Sequence, residues 1–488
     1  MQWDLLLSEK RLGEDILFSF GDKYPITEME KDYSRIISSA SFRRLQDKTQ
    51  VFPLDKSDFV RTRLTHSMET ASIAKQLWTM IYANLERYQK NSIYKIQNKQ
   101  VETISEALMC SGLLHDIGNP PFGHFGEFSI GNWFKNKLND KNFTYKNKRI
   151  YDLLLPQMRK DLCKFEGNAQ ALRTLTKLHH VDSTAGLNLT SCVLNILIKY
   201  PTDSLNINND DNTDIKYHKL GYYLADEDVY KTITHNTGTL ASSNVYRHPL
   251  TFILEAADDI AYSTADLEDA FKKGLFSLKE FVDFFEDTLN IYDKRKKVPA
   301  YQKEKALELI TPLKKMLSDK GSDSKSLLPD FQQWVGYARD WLTYAAAYGF
   351  ASHYDEIMAG TYKTEIITGT NHEYTMKVLK DSMFRYVYPD PNIMKLELSA
   401  ETIITSLLDK FIPAIMYFDL KDEEYKSTKS HMKYLGLISN NYIMSYEKFK
   451  TNDENYNLYL KFLLVTDFIC GMTDSYAKTL YQELNGIN

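Results

Sequence analysis

The densest group of chemically useful side chains is the string LLHDIGNPPFGHFGE, residues 113–127. An apolar helical run ends there in His115-Asp116. Pro120 and Pro121 then forbid its continuation, because proline lacks the amide proton and restricts the residue before it. A His-Asp doublet at such an end can offer an imidazole nitrogen and a carboxylate oxygen to one cation. A capping aspartate beside a core histidine leaves the same letters. Just downstream, His124 and Glu127 stand three apart where a helix is expected to restart. The carboxylate can orient that imidazole and raise its basicity, giving a general acid or base. A capped helix start with an acidic first turn reads the same way.

Two other stretches offer partners. In RTRLTHSMET, Arg63 and His66 are three apart and share a face on a helix. His66 could coordinate a metal while the Arg63 guanidinium grips an anion beside it in two-point fashion; a surface arginine and a satisfied histidine are the alternative. In LEAADDIAYSTADLEDA, Asp258, Tyr262 and Asp266 follow an i, i+4, i+8 pattern along one helix face. Ile253, Ile260, Thr264, Leu267 and Phe271 form a stripe on the broadly opposite side. That periodicity fits a site-lining helix and equally an amphipathic helix with an acidic, solvated face.

Most of the chain has helical periodicity and alternating strand patterns are scarce. Helices are expected over Glu69 to Leu85, Glu102 to Leu114, Phe252 to Phe271, Ala400 to Phe411 and Tyr456 to Leu480. Gly and Pro cluster in loops such as Gly118-Asn119-Pro120-Pro121, so the expected class is all-α. Pro201 to Lys216, rich in Asn and Asp, and Lys294 to Lys325, rich in Lys, read as solvated connectors. Residues 1–290 would form a catalytic core and 291–488 a helical extension, or the two would run as one continuous domain. The aromatic stretch from Trp334 to Tyr348 would complete a pocket or form a subunit interface.

Bulk properties narrow the class. Hydrophobic residues make up 43% and charged residues 26% of the 488, which suits a soluble globular protein with a large core. The net charge of −5 shows no basic excess that would recommend nucleic acid or an anionic membrane as main partner. Cys110, Cys163, Cys192 and Cys470 lie far apart with no CxxC pair, against a disulfide framework or a thiolate zinc cluster. The opening MQWDLLLSEKRLGED lacks a basic region followed by an apolar run, so no secretory signal is expected. VLNILI and FLLV are core-sized runs, too short to span a membrane. The expectation is a reduced, cytoplasmic protein.

Taken together the motifs resemble the deoxyguanosine triphosphate triphosphohydrolase family within the HD-domain phosphohydrolases. The matching strings are RRLQDKTQVFPL (43–54), RTRLTHSME (61–69), HDIGNPPFGHFGE (115–127), FEGNAQ (165–170), GLNLT (186–190), GYYL (221–224), EAADDIAY (255–262) and GMTDSYA (471–477). They run in the family's order over nearly the whole chain. The resemblance implies an HD-type helical core and a metal held by His66, His115, Asp116 and Asp258. Such a mixed nitrogen and oxygen set suits Mn²⁺ or Mg²⁺, with Co²⁺ and Fe²⁺ also fitting. It implies His124 as catalytic imidazole and Glu127 as its partner. Arg63, Lys199, Lys219, Tyr262 and Asp266 would face the triphosphate or sugar, and Gln50 and Asn168 would lie near the nucleoside. The implied reaction converts a dNTP, dGTP favoured, into deoxynucleoside and inorganic triphosphate. A hexameric homo-oligomer and a nucleotide or single-stranded DNA effector are implied in the same way. HD phosphodiesterases of cyclic dinucleotides usually carry Lys where this chain has Asn119, and they lack the NPPFGH continuation. A nucleotidase releasing one phosphate at a time is the competing enzyme reading, and a nucleotide- or single-strand-binding protein that keeps the helical scaffold the competing non-enzymatic one.

Overall fold

The computed structural model describes residues 1–13, 26–52, 54, 59–179, 185–208, 214–241, 244–320, 324–420 and 427–487. Helix α1, Arg63–Tyr88, starts where Thr62 caps it: the Thr62 hydroxyl accepts the Thr65 amide, and the Thr65 hydroxyl accepts the Thr62 amide in return. Helix α2, Asn98–Leu114, lies against it. Gly112 makes the approach close enough, since a Cβ there would sit 2.5 Å from the Ala71 Cα. That contact brings the His66 end of α1 to the His115 end of α2. The two prolines stop the chain, and α3, Gly123–Asn139, restarts it. Helix α4, Gly167–Lys177, follows, and α5, Pro249–Lys272, begins with proline at its first position, where the missing amide proton costs nothing.

Beyond these come α6 (Leu278–Lys296), α7 (Ala300–Lys320), α8 (Ser324–Ser352), α9 (Glu373–Tyr386), α10 (Pro391–Met416), α11 (Glu454–Cys470) and α12 (Asp474–Asn485). Among the described residues the strands amount to two antiparallel hairpins, Thr144–Tyr145 with Lys148–Arg149 and Leu240–Ala241 with Asn244–Val245. The fold is all-α. No helix among those residues is long and apolar enough to cross a membrane, and all four cysteines are free.

Two buried clusters hold the helices together. The first joins Leu77 and Trp78 of α1, Leu108 of α2 and Ile253 of α5 to Phe271, Phe281, Phe331 and Trp334. Phe271 and Phe331 stack with ring centroids 4.2 Å apart, pinning α5 to α8. The second joins Phe134 of α3 to Leu407 and Phe411 of α10 and Phe462 of α11. Each such side chain contributes about 1.5–3 kcal/mol on burial. Residues from both sides of position 290 share each cluster.

Three stretches differ from their sequence reading. Lys294 to Lys325 is mostly helix, not a connector: Ala306, Leu309, Ile310 and Leu313 of α7 recur at three- and four-residue steps and are buried. Its lysines cover the solvent side of an amphipathic helix, and residues 321–323 lie outside the described residues. The described part of Pro201 to Lys216 is tied to the fold, with Thr202 and Ser204 buried and the Thr202 hydroxyl donating to the Lys216 carbonyl at 2.8 Å; residues 209–213 lie outside. Tyr456 to Leu480 is two helices. Gly471, where a Cβ would meet the Tyr442 hydroxyl at 2.0 Å, and Thr473, whose side chain caps α12, make the corner.

Candidate functional site

A cavity of about 450 Å³ opens between α1, α3, α5 and α9. Gln50, Arg63, His115, Asp116, His124, Asn168, Lys199, Lys219, Asp258, Tyr262 and Asp266 all line it. His66 and Glu127 stand behind the wall, each buried and each bonded to a residue in front. All the residues that the sequence reading singled out as site candidates thus converge on one place.

At its floor, His66 Nε2 lies 3.1 Å from Asp258 Oδ1, and His115 Nε2 lies 3.3 Å from the same oxygen and 3.7 Å from Asp116 Oδ1. His66, His115 and Asp116 can each present a ligand atom within 4.8 Å of the others. The His115 ring is fixed by its other nitrogen, Nδ1, which donates to the Gly112 carbonyl at 2.7 Å. In the neutral ring Nε2 is therefore the lone-pair nitrogen, and it is buried without a hydrogen-bond partner. An unpaired buried acceptor aimed at two carboxylates is the geometry of a cation site.

Two basic side chains balance the acids. Arg63 Nη1 donates to Asp116 Oδ2 at 2.6 Å, and Lys199 Nζ donates to Asp258 Oδ2 at 2.9 Å. Asn119 Nδ2 holds the other Asp116 oxygen at 2.6 Å. Burial is the largest single effect and pushes both carboxyls up, but Arg63 with His115 and His66 together outweigh it at Asp116, and Lys199 with His115 and His66 at Asp258, so both stay ionised well below the usual range. Lower on α5, burial pushes Asp266 up to about 7. The face Asp258–Tyr262–Asp266 is therefore a cavity wall, not a solvated acidic stripe.

A second constellation sits on α3. His124 Nδ1 donates to Glu127 Oε2 at 2.6 Å, and Glu127 Oε1 accepts the Gly167 amide at 2.8 Å. That amide is the first of α4, where a helix presents unsatisfied N–H groups to an anion. Gly167 is required here, because a Cβ would meet Glu127 Oε1 at 2.6 Å and Asn119 Oδ1 at 2.3 Å. The Glu127 charge raises the His124 pKa above its ordinary value. The ring itself projects into the cavity, with 76% of the side chain accessible and Nε2 left to face it.

Several lining residues fall outside the candidates marked by the sequence. Glu166 accepts from both Asn168 Nδ2 at 2.8 Å and Lys219 Nζ at 3.0 Å, so it orders two of the expected substrate contacts. Lys380 of α9 donates to Asp259 at 2.8 Å and stands 5.9 Å from the Tyr262 ring centroid. Tyr200, Tyr388 and Glu397 complete the far wall. Glu166 sits in the quoted FEGNAQ string, yet lone charged residues on α9 and α10 carry no local signal. The aromatic stretch of α8 is not part of the lining: Trp334 is buried in the core while Tyr337, Tyr344 and Tyr348 are exposed.

An HD-domain family model matches residues 63–187, the span that contains His66, His115, Asp116, His124 and Glu127. Over 490 residues, covering all of both chains, the sequence is 45% identical to a deoxyguanosinetriphosphate triphosphohydrolase-like protein of Listeria monocytogenes. It is 30% identical over 495 residues, again all of both, to a protein of the same description from Synechocystis sp.. It is also 30% identical, over 95% of each chain, to a deoxyguanosinetriphosphate triphosphohydrolase of Yersinia enterocolitica.

Proposed function

Because this chain belongs to the deoxyguanosinetriphosphate triphosphohydrolase family of HD-domain hydrolases, we propose that it cleaves deoxynucleoside triphosphates, dGTP foremost, into deoxynucleoside and intact inorganic triphosphate. One observation carries the reading: the His66–His115–Asp116–Asp258 cluster and the His124–Glu127 pair open into the same cavity, beside Arg63, Lys199 and Lys219.

His66, His115, Asp116 and Asp258 would hold a divalent cation, Mn²⁺ or Mg²⁺ by the mixture of nitrogen and oxygen donors. Bound there, the ion supplies charge neutralisation and polarisation of the phosphoryl group. The protein's own groups do the rest. A nucleoside triphosphate brings roughly four negative charges, so Arg63, Lys199 and Lys219 are placed to bind it in a partly desolvated cavity. Water attacks the α-phosphorus, and the bond from phosphorus to the 5′-oxygen breaks. That alkoxide is a poor leaving group and needs a proton. His124, its proton held by the Glu127 charge, delivers it from Nε2. Tyr262 packs against the deoxyribose one helical turn from Asp258 and leaves no room for a 2′-hydroxyl.

The test is chromatographic product analysis after incubating each dNTP with the purified chain and Mn²⁺ or Mg²⁺. Triphosphate with deoxynucleoside supports the proposal; orthophosphate or pyrophosphate with a nucleotide product contradicts it.

A further inference from the structure

The GMTDSYA string near the C-terminus takes no part in the cavity, yet its aspartate reaches the turn that carries His124. We propose that Asp474, on the first turn of α12, is a positioning residue that sets the His124–Glu127 pair for proton transfer. The inference rests on the reading of His124 given above.

Asp474 is 1% exposed. It does not cap its own helix, since the Thr473 hydroxyl accepts the Tyr476 amide and fills that role. Its carboxylate is spent instead on two distant segments. Oδ1 accepts the Phe122 amide at 2.9 Å, across 352 residues. Oδ2 accepts the Thr49 amide at 3.0 Å and the Thr49 hydroxyl at 2.6 Å. Thr49 is the neighbour of Gln50 in the cavity wall, and Phe122 lies two residues before His124.

Phe122 is the residue that most needs such a hold. Its backbone is left-handed, φ 64° and ψ 17°, and Gly123 follows at φ 60°. Glycine adopts that region freely, whereas a phenylalanine there is strained and persists only when its surroundings impose it. Gly123 also has a steric reason to lack a side chain, because a Cβ would meet Arg63 Nη2 at 2.3 Å. The two left-handed residues swing the chain from the prolines into α3 and so fix the direction in which His124 leaves the helix start. Lys48 braces the same turn at its other end: its buried ammonium donates to the Asn119 carbonyl at 2.6 Å and the Cys470 carbonyl at 2.7 Å. The turn from 119 to 122 is thus tied at both ends to the corner between α11 and α12.

A double-mutant cycle on the full chain tests this. Asp474→Asn keeps the shape but turns one acceptor oxygen into a donor. It should lower kcat roughly 10- to 100-fold through misplacement of the general acid, with KM for dGTP and calorimetric Mn²⁺ affinity within about threefold of wild type. In a His124→Ala background the same change should cost less than about threefold further, because the group it positions is already gone. If the losses multiply, or if KM rises and Mn²⁺ affinity falls along with kcat, Asp474 does not act through His124 and the inference is overturned. If Asp474→Asn does not fold, Thr49→Val, which removes one donor to the same carboxylate, takes its place with a smaller loss and the same required non-additivity. Near-normal turnover by His124→Ala alone would sink the His124 reading and this inference with it. A disabled His124→Ala with multiplying losses would sink only the role of Asp474.

Discussion

His66 Nε2 stands 3.1 Å from Asp258 Oδ1 although 192 residues separate the two in the chain. The contact exists because α1 and α5 pack on one another through an apolar core that includes Leu77, Ile253 and Ile260. The carboxylate is half-buried and its charge is balanced by Lys199.

If these two side chains share a cation, removing either should abolish tight binding while leaving the helices in place. Isothermal calorimetry of His66→Ala and Asp258→Asn should show Mn²⁺ affinity weakened by more than roughly 100-fold. An unchanged affinity in either variant would remove that residue from the ligand set.

His124→Ala should lower kcat by roughly 10²- to 10⁴-fold with Mn²⁺ still bound, as expected for loss of a proton donor. The pH profile gives a sharper check. The Glu127 charge raises the His124 pKa, so the protonated, active imidazole persists above the ordinary range and turnover falls as pH rises through the raised value. Glu127→Gln should move that alkaline fall to lower pH. An alkaline limb that stays put would show that some other group titrates there.

Tyr262 lines the cavity on the same helix face as Asp258. If its ring excludes the 2′-hydroxyl, Tyr262→Ala should raise the ratio of kcat/KM for GTP over dGTP by roughly tenfold or more. Steady-state comparison of the two substrates decides it, and an unmoved ratio would place the sugar selection elsewhere.

His248 predicts acid sensitivity far from the chemistry. It is fully buried before α5, with Nε2 donating to the Leu6 carbonyl at 3.1 Å and Nδ1 accepting the Leu250 amide at 3.2 Å. Burial pulls its pKa down to about 4. The unfolded chain protonates this ring below about pH 6.5 while the folded chain does not, so the stability it contributes is present above that pH and is lost as pH falls toward about 4. The loss totals about 3 kcal/mol. Urea unfolding of wild type and His248→Gln at about pH 7 and about pH 4.5 should show the variant losing less. Equal losses would exclude His248 as the source.

Much of this site could be read before any coordinates, because its residues are marked by helix punctuation. Pro120 and Pro121 end one helix, so His115-Asp116 had to lie at a terminus, and the four-residue spacing of Asp258, Tyr262 and Asp266 put them on one face. Whether that face was wet or lined a cavity was not legible: the answer depends on α9, which supplies Lys380 from 121 residues beyond Asp259. Tyr388 and Glu397 were missed for the same reason, and Glu166, although it sits in the FEGNAQ string, takes its role from Lys219, 53 residues away. Their importance comes from what packs opposite them, not from their neighbours in sequence. The lysine-rich α7 misled through composition, where the spacing of Ala306, Leu309, Ile310 and Leu313 was the better signal. The break at Gly471 was legible in principle from Gly471 and the capping Thr473.

The proposed reaction turns on which bond breaks. Hydrolysis of dGTP in ¹⁸O-labelled water, with products separated by anion exchange and weighed by mass spectrometry, tests it directly. Attack at the α-phosphorus predicts unlabelled deoxyguanosine and inorganic triphosphate carrying one label. Deoxyguanosine mono- or diphosphate among the products, or label in the nucleoside, would contradict it.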